Sequence, residues 1–218
     1  KIEARTKAVP VTLAEAERQW AEAGEAEYLR VTVTGQFGMG RDNDYFTTGP
    51  AGPGYHVYAP FHSGDGRVLL VNRGYIPDAL LPRPDADFAR PAGRVTITGL
   101  ARAREAPGLF TGAPPPEGRN RPWLTRDLEG MGDRARIPGI VSPKQLVPFF
   151  LDLERDPAAG DTYPQAGTTR LEIPNRHLEY ALTWYGLAAL LVVITAVVVI
   201  ARVVIARVVI ARVIVARG

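Results

Sequence analysis

The chain has 218 residues, no cysteine, and 26 Lys and Arg side chains against 23 Asp and Glu, for a formal net charge of +3. That length accommodates one ordinary domain plus a short extra element, and the missing cysteines exclude disulfides, a thiolate copper site, a CxxCH heme attachment and any cysteine nucleophile. All 23 acids precede Ala181 while four arginines (Arg202, Arg207, Arg212, Arg217) follow it, so the preceding part balances to −1 and gives no reason to expect nucleic acid as a partner.

In chain order, the string TLAE from Thr12 to Glu15 reads as a capping box. The helix it opens reaches about Ala23, with Leu13, Ala16 and Trp20 near one face and Gly24 as its stop. Residues 28–37 (YLRVTVTGQF) alternate apolar and polar with β-branched side chains, the pattern of a half-buried strand, and the pattern returns at 94–101 (RVTITGLA). The two strings fit two strands of one sheet, and no fixed period makes them a repeat. Asp42 and Asp44 fall in a turn.

Residues 55–61 (YHVYAPF) and 67–75 (RVLLVNRGY) flank HSGDG, which predicts a hairpin around a Gly-Asp-Gly turn. The unbroken apolar run 68–71 predicts a central strand covered on both faces. Just beyond it, Gly74 permits a turn and Arg73 is expected to pair with an acid such as Asp78 or Asp127. Trp123 reads as a core aromatic and Asp127 as a carboxylate that fixes a loop. Residues 77–84 and 107–122 are Pro-rich loops. Pro148 within 145–154 (QLVPFFLDLE) limits that piece to an edge or bulged strand.

No catalytic constellation stands out, which predicts a protein that is not an enzyme. Ser63 and Ser142 lack a nucleophile elbow, and the Gly38-Met39-Gly40 string lacks the rest of a dinucleotide fingerprint. His56 and His62 lie six apart with no third ligand, so structural or surface roles are expected of them.

Residues 181–201 (ALTWYGLAALLVVITAVVVIA) carry no charge. At about 1.5 Å each they cover roughly 30 Å, the thickness of a bilayer's hydrocarbon core. PNRH at 174–177 breaks the chain ahead of the span, with Asn175 as a natural N-cap and the helix starting near Arg176. His177, Tyr180 and Trp184 then stand at i, i+3 and i+7 on one face at the water–lipid boundary, where Tyr and Trp are usual anchors. After Ala201 comes ARVVI, ARVVI, ARVIV, ARG. Arginine every five residues turns by about 140° per step, which points against a surface-lying amphipathic helix. Arginines clustered after a span favour the cytoplasmic side for that end. The expected organisation is a β-rich soluble domain over 1–175 facing the periplasm, or the intermembrane space if the membrane is the mitochondrial inner one, a transmembrane helix over 176–201 and an Arg-containing tail over 202–218. The fold class is α+β, mainly β: a small antiparallel sheet or open barrel with a short N-terminal helix.

Three stretches carry a family resemblance: VLLVNRGYIP (68–77), RPWLTRDLEGM (121–131) and EIPNRHLEYALTWYGLA (172–188). Their order and spacing resemble the surfeit locus protein 1 family, the cytochrome c oxidase assembly factors. The resemblance runs from about Trp20 to Leu191. Tyr75 stands where a Trp is common and Arg176 where a second Asn is expected, and the pentad tail has no counterpart there. The resemblance implies two transmembrane helices flanking one outward-facing domain, so that a first helix would precede Lys1. It also implies a place in the inner membrane and heme a as cofactor, handled or retained for the oxidase's catalytic subunit, with the heme a synthase as a further partner. His177 matches the proposed heme ligand, with Tyr180 and Trp184 packing the macrocycle and Arg176 near a propionate. The alternative is a scaffold that binds oxidase subunits without heme.

Overall fold

A computed structural model of the chain describes residues 2–24, 26–80, 90–106, 108, 111, 122–135, 145–157, 162–169 and 177–217. The chain divides into two compact units, Lys1–Leu171 and Glu172–Gly218.

In the first unit, α1 (Ile2–Thr6) and β1 (Val11–Thr12) lead into α2 (Leu13–Ala23). The N-cap half of the expected capping box forms: the Thr12 hydroxyl accepts from the Glu15 amide, 3.3 Å away, while the Glu15 carboxylate accepts from Gln19 Nε2 at 2.7 Å. Gly24 ends the helix in the left-handed region (φ 67°), and its N–H returns to the Trp20 carbonyl at 2.8 Å. The remaining strands are β2 (Arg30–Phe37), β3 (Asn43–Gly49), β4 (Gly52–Ser63), β5 (Val68–Pro77), β6 (Val95–Arg102) and β7 (Phe150–Leu153), with α3 (Leu128–Arg134) between the last two.

The sheet order is β1-β2-β6-β7-β5-β4-β3, and an additional β2–β4 pairing, Gly35 opposite Ser63, closes five of these strands into a small barrel. The fold is thus mainly β, as expected, in a mixed sheet with two parallel pairings, β1–β2 and β5–β7. The matching strings VTVTG and VTITG are direct antiparallel neighbours, with Thr32 opposite Thr98 and Thr34 opposite Thr96. Closure at Gly35 depends on a bare Cα, because a Cβ there would lie 2.1 Å from the His62 carbonyl oxygen.

One apolar cluster takes Val31 and Val33 from β2, Phe61 from β4, Leu69 and Val71 from β5, Ala101 from β6 and Leu151 from β7. Since every barrel strand contributes, this is the interior, and Leu13, Ala16 and Trp20 of α2 pack against it. Each large side chain sealed there stabilises the fold by roughly 1.5–3 kcal/mol. A second cluster joins Tyr58, Val68, Leu70 and Phe150 to Trp123, Leu128 and Met131 beneath α3. Successive residues of β5 therefore enter opposite clusters, which explains why 68–71 is apolar without alternation.

The strand containing residues 150–153 departs from expectation. It lies between β6 and β5 and is central. Pro148 falls outside it: pairing to β5 begins with the Val147 amide on the Val68 carbonyl (2.9 Å), skips the proline and resumes at Leu151. Proline constrains only the position whose N–H it removes.

The second unit contains α4, which runs from His177 to Arg217 over 41 residues. Its span Leu178–Arg207 has the length and composition to cross a membrane, and none of it is buried. The helix continues past Ala201 without a break.

Candidate functional site

Helical periodicity decides what the mouth of α4 presents. Tyr180 and Trp184 lie about 60° and 20° around the axis from position 177, so all three positions share one face. Both aromatic side chains are open, 63% and 69% exposed. Glu179 occupies the first turn, where the positive end of the helix dipole favours a carboxylate. The Thr183 hydroxyl donates back to the Glu179 carbonyl and the Thr195 hydroxyl to that of Leu191, each at 2.8 Å, so both polar groups are satisfied within an apolar helix. His177 opens the helix, whereas Asn175 and Arg176 lie outside the described residues.

The first unit holds a buried polar cluster that the sequence reading did not identify. Asp152 of β7 is 2% exposed. One of its oxygens accepts from Asn72 Nδ2 at 2.9 Å, and the other accepts from Thr169 Oγ1 at 2.9 Å and Arg102 Nη1 at 3.2 Å. Arg102 also donates through Nε to Glu27 at 2.7 Å and lies over the Tyr28 ring at 4.7 Å. Nearby, Arg126 donates to Glu105 at 2.6 Å, and the Tyr45 hydroxyl reaches the same carboxylate at 3.4 Å. Burial alone would lower the pKa of Arg126, but on balance it is raised, with the Glu105 and Asp152 carboxylates favouring the charged guanidinium. This arrangement ties β5, β6, β7 and the 162–169 segment together and pairs each charge with its opposite. Among the described residues no group of three or more His, Asp or Glu could hold a metal.

Tyr58 packs edge-on against Phe150, 5.1 Å between ring centres. Burial first, and the Asp152 carboxylate second, push its phenol well above the ordinary value of about 10. The folded chain then keeps Tyr58 protonated while an unfolded chain begins to ionise near pH 10. Its contribution is full below that pH and declines above it, by up to about 1.4 kcal/mol per pH unit. Tyr58→Phe keeps the ring and removes this slope, so its urea midpoint should fall less steeply than that of the parent between about pH 10 and 11.5. Parallel declines would assign the alkaline loss to other groups.

Arg73 does not meet Asp78 or Asp127. Among the described residues it faces Asp42, 3.9 Å away, which Arg90 also engages. Asp42 lies just ahead of β3, and Asp44 is within it rather than in a turn. Gly74 likewise makes no turn: it sits inside β5 with φ 130°. Trp123 is the core aromatic expected, 2% exposed with its indole donating to Asn43 at 2.9 Å, while Asp127 is structural as the N-cap of α3, accepting from the Gly130 amide at 3.1 Å, and not as a loop fastener. His56 contacts Thr168 Oγ1 at 3.2 Å and stacks on Tyr45, and burial lowers the pKa of His62. The Ser63 hydroxyl is engaged by the Arg67 backbone in the hairpin turn, and Ser142 lies outside the described residues.

The model of the SURF1 family matches residues 1–189. Surfeit locus protein 1 of Mus musculus is 37% identical over 137 residues, which is 62% of this chain and 41% of the mouse protein. The Homo sapiens protein of the same name is 36% identical over 137 residues, 62% of this chain and 42% of its own length. A SURF1-like protein of Monosiga brevicollis is 26% identical over 186 residues, covering 80% of this chain and 67% of its own. The chain thus spans about two fifths of the length of the mouse and human relatives.

Proposed function

The chain belongs to the SURF1 family, and from that membership we propose that it is a membrane-anchored, non-enzymatic assembly factor for cytochrome c oxidase that holds heme a for the catalytic subunit. The observation that carries this reading is the single face at the start of α4 that joins His177 with two exposed aromatics, Tyr180 and Trp184, at the head of an apolar span.

Those residue types fit the cargo. A heme needs an axial ligand, flat apolar walls and cations for its propionates. His177 would supply the ligand, Tyr180 and Trp184 the walls, and Arg176 a cation at the water boundary. One helix cannot enclose a macrocycle, so the opposite wall belongs to a partner protein, for which the oxidase's catalytic subunit and the heme a synthase are the candidates. The orientation that suits this role places the first unit in the periplasm and the arginine tail in the cytoplasm.

The test is co-expression of the full chain with heme a synthesis, followed by the absorbance spectrum of the purified protein. The parent should carry heme a, and His177→Ala should lower occupancy by about tenfold or more. Trp184→Ala should weaken retention while leaving band positions unchanged. Occupancy and spectrum untouched by His177→Ala would remove the ligand assignment. A parent that never acquires heme yet co-purifies with the catalytic subunit would replace heme handling by scaffolding.

A further inference from the structure

The helix α4 is 41 residues long, about 62 Å at 1.5 Å per residue. That is twice the hydrocarbon thickness of roughly 30 Å and more than the roughly 40–45 Å of a bilayer with its head groups. Between Leu187 and Arg217 there is neither proline nor glycine, so nothing provides a bend, and the residues past Ala201 continue in line with the span.

Neither water nor hydrocarbon suits that continuation. Val203, Val204, Ile205, Val209 and Ile210 are 48–63% exposed, while Arg202, Arg207 and Arg212 are exposed among them. At the bilayer centre the cost of one arginine exceeds the gain from the three aliphatics of its pentad, and in water those aliphatics are left unburied. The head-group layer accepts both, because an arginine stem can lie along apolar surface while its guanidinium reaches phosphate oxygens bidentately. The segment holds four cations and no acid.

The unbroken helix also refines the reading of the arginine directions. From Arg202 the four positions fall at about 0°, 140°, 280° and 60°, which leaves an arc of about 140° without arginine. A second copy packed along that arc would set Arg207 and Arg212 of one chain against the same residues of the other, with no acid in the segment to separate them. An anionic surface meets no such opposition.

We propose that the end of α4 carrying Arg202, Arg207 and Arg212 is a docking surface for anionic phospholipid head groups at the membrane face where the helix emerges. Each arginine held near such a surface favours the anionic lipid roughly fivefold.

The test uses the full chain reconstituted into phosphatidylcholine vesicles containing phosphatidylglycerol, with spin-labelled forms of both lipids reporting the fraction immobilised by the protein. The parent should immobilise phosphatidylglycerol over phosphatidylcholine by about fivefold or more, and about 1 M salt should collapse the preference. The triple Arg→Gln variant at 202, 207 and 212, checked for insertion by resistance to alkaline extraction, should bring the ratio near one. The triple Arg→Lys variant should retain most of it. No preference in the parent, a preference that survives in the glutamine variant, or its loss in the lysine variant would each overturn the assignment. So would glutamine substitutions that change cross-linking between copies while leaving lipid selection alone, since that result would give the surface to a second chain.

Discussion

Replacing Asp152 by alanine is expected to cost the first unit about 3–5 kcal/mol, the effect of stranding one member of a buried ion pair. Such a loss is a large fraction of the roughly 5–15 kcal/mol that holds an ordinary domain folded. Asp152 is 2% exposed and gathers three donors, Asn72 from β5, Arg102 from β6 and Thr169 from the 162–169 segment. Removing the carboxylate leaves Asn72 Nδ2 without its acceptor and Arg102, 13% exposed in its side chain, with only Glu27 and the Tyr28 ring. The measurement is chemical denaturation of the full chain in detergent, followed through Trp20 and Trp123, both in the first unit.

Two companion variants separate charge from shape. Asp152→Asn keeps an acceptor for one donor and removes the charge, so it should cost about 1–3 kcal/mol. Combining Asp152→Ala with Arg102→Met should cost less than the two single losses added, because no largely buried guanidinium is then left short of one of its two carboxylate partners. A loss below about 1 kcal/mol for Asp152→Ala would mean that the cluster is wet and its hydrogen bonds exchange freely with solvent.

What the sequence made legible follows from the range of the interactions involved. The Thr12–Glu15 cap, the Gly24 stop, the Ser63–Arg67 turn and the apolar span are decided within a few residues of themselves, and each appears where local chemistry puts it. The similarity of VTVTG and VTITG marked one sheet, and the strings pair directly, with the Thr34 and Thr96 hydroxyls 2.8 Å apart. Barrel closure was not legible, because Gly35 and Ser63 become partners only once β4 has curled past β2. Proline 148 misdirected the reading of residues 145–154 for a related reason: its effect is confined to one ladder position, while the strand's place is set by β5 and β6. Asp152 carries no local motif, and its partners lie 80, 50 and 17 residues away. The usable signal was a lone acid in an apolar run, since a buried carboxylate requires a cation somewhere. At the mouth of α4 the shared face of positions 177, 180 and 184 was readable from helical period alone.

Alanine at Gly74 should be as damaging as alanine at Asp152, about 3 kcal/mol or more, though it adds a single methyl group. Gly74 sits in β5 with φ 130°, a conformation that side chains rarely tolerate, and a Cβ there would lie 2.2 Å from both the carbonyl carbon and oxygen of Gln165. Those atoms are backbone and cannot rotate away. Tyr75 and Gln165 exchange both of their N–H to carbonyl bonds, each 2.9 Å, and so fix the 162–169 segment against β5. A methyl group at position 74 has to push that segment off, and with it go the Thr168 contact to His56 and the Thr169 donor to Asp152. Gly52 provides the control: its φ is 100°, yet a Cβ would meet nothing within 4 Å. Gly52→Ala should therefore show backbone strain alone, about 1 kcal/mol. Two readouts distinguish the positions, the denaturation midpoint and the rate of proteolytic cleavage within residues 162–169. Gly74→Ala should lower the first sharply and raise the second, whereas Gly52→Ala leaves the cleavage rate unchanged. Equal midpoints for the two variants would show that the segment shifts to admit a methyl group, and that strand β5 does not depend on so close an approach.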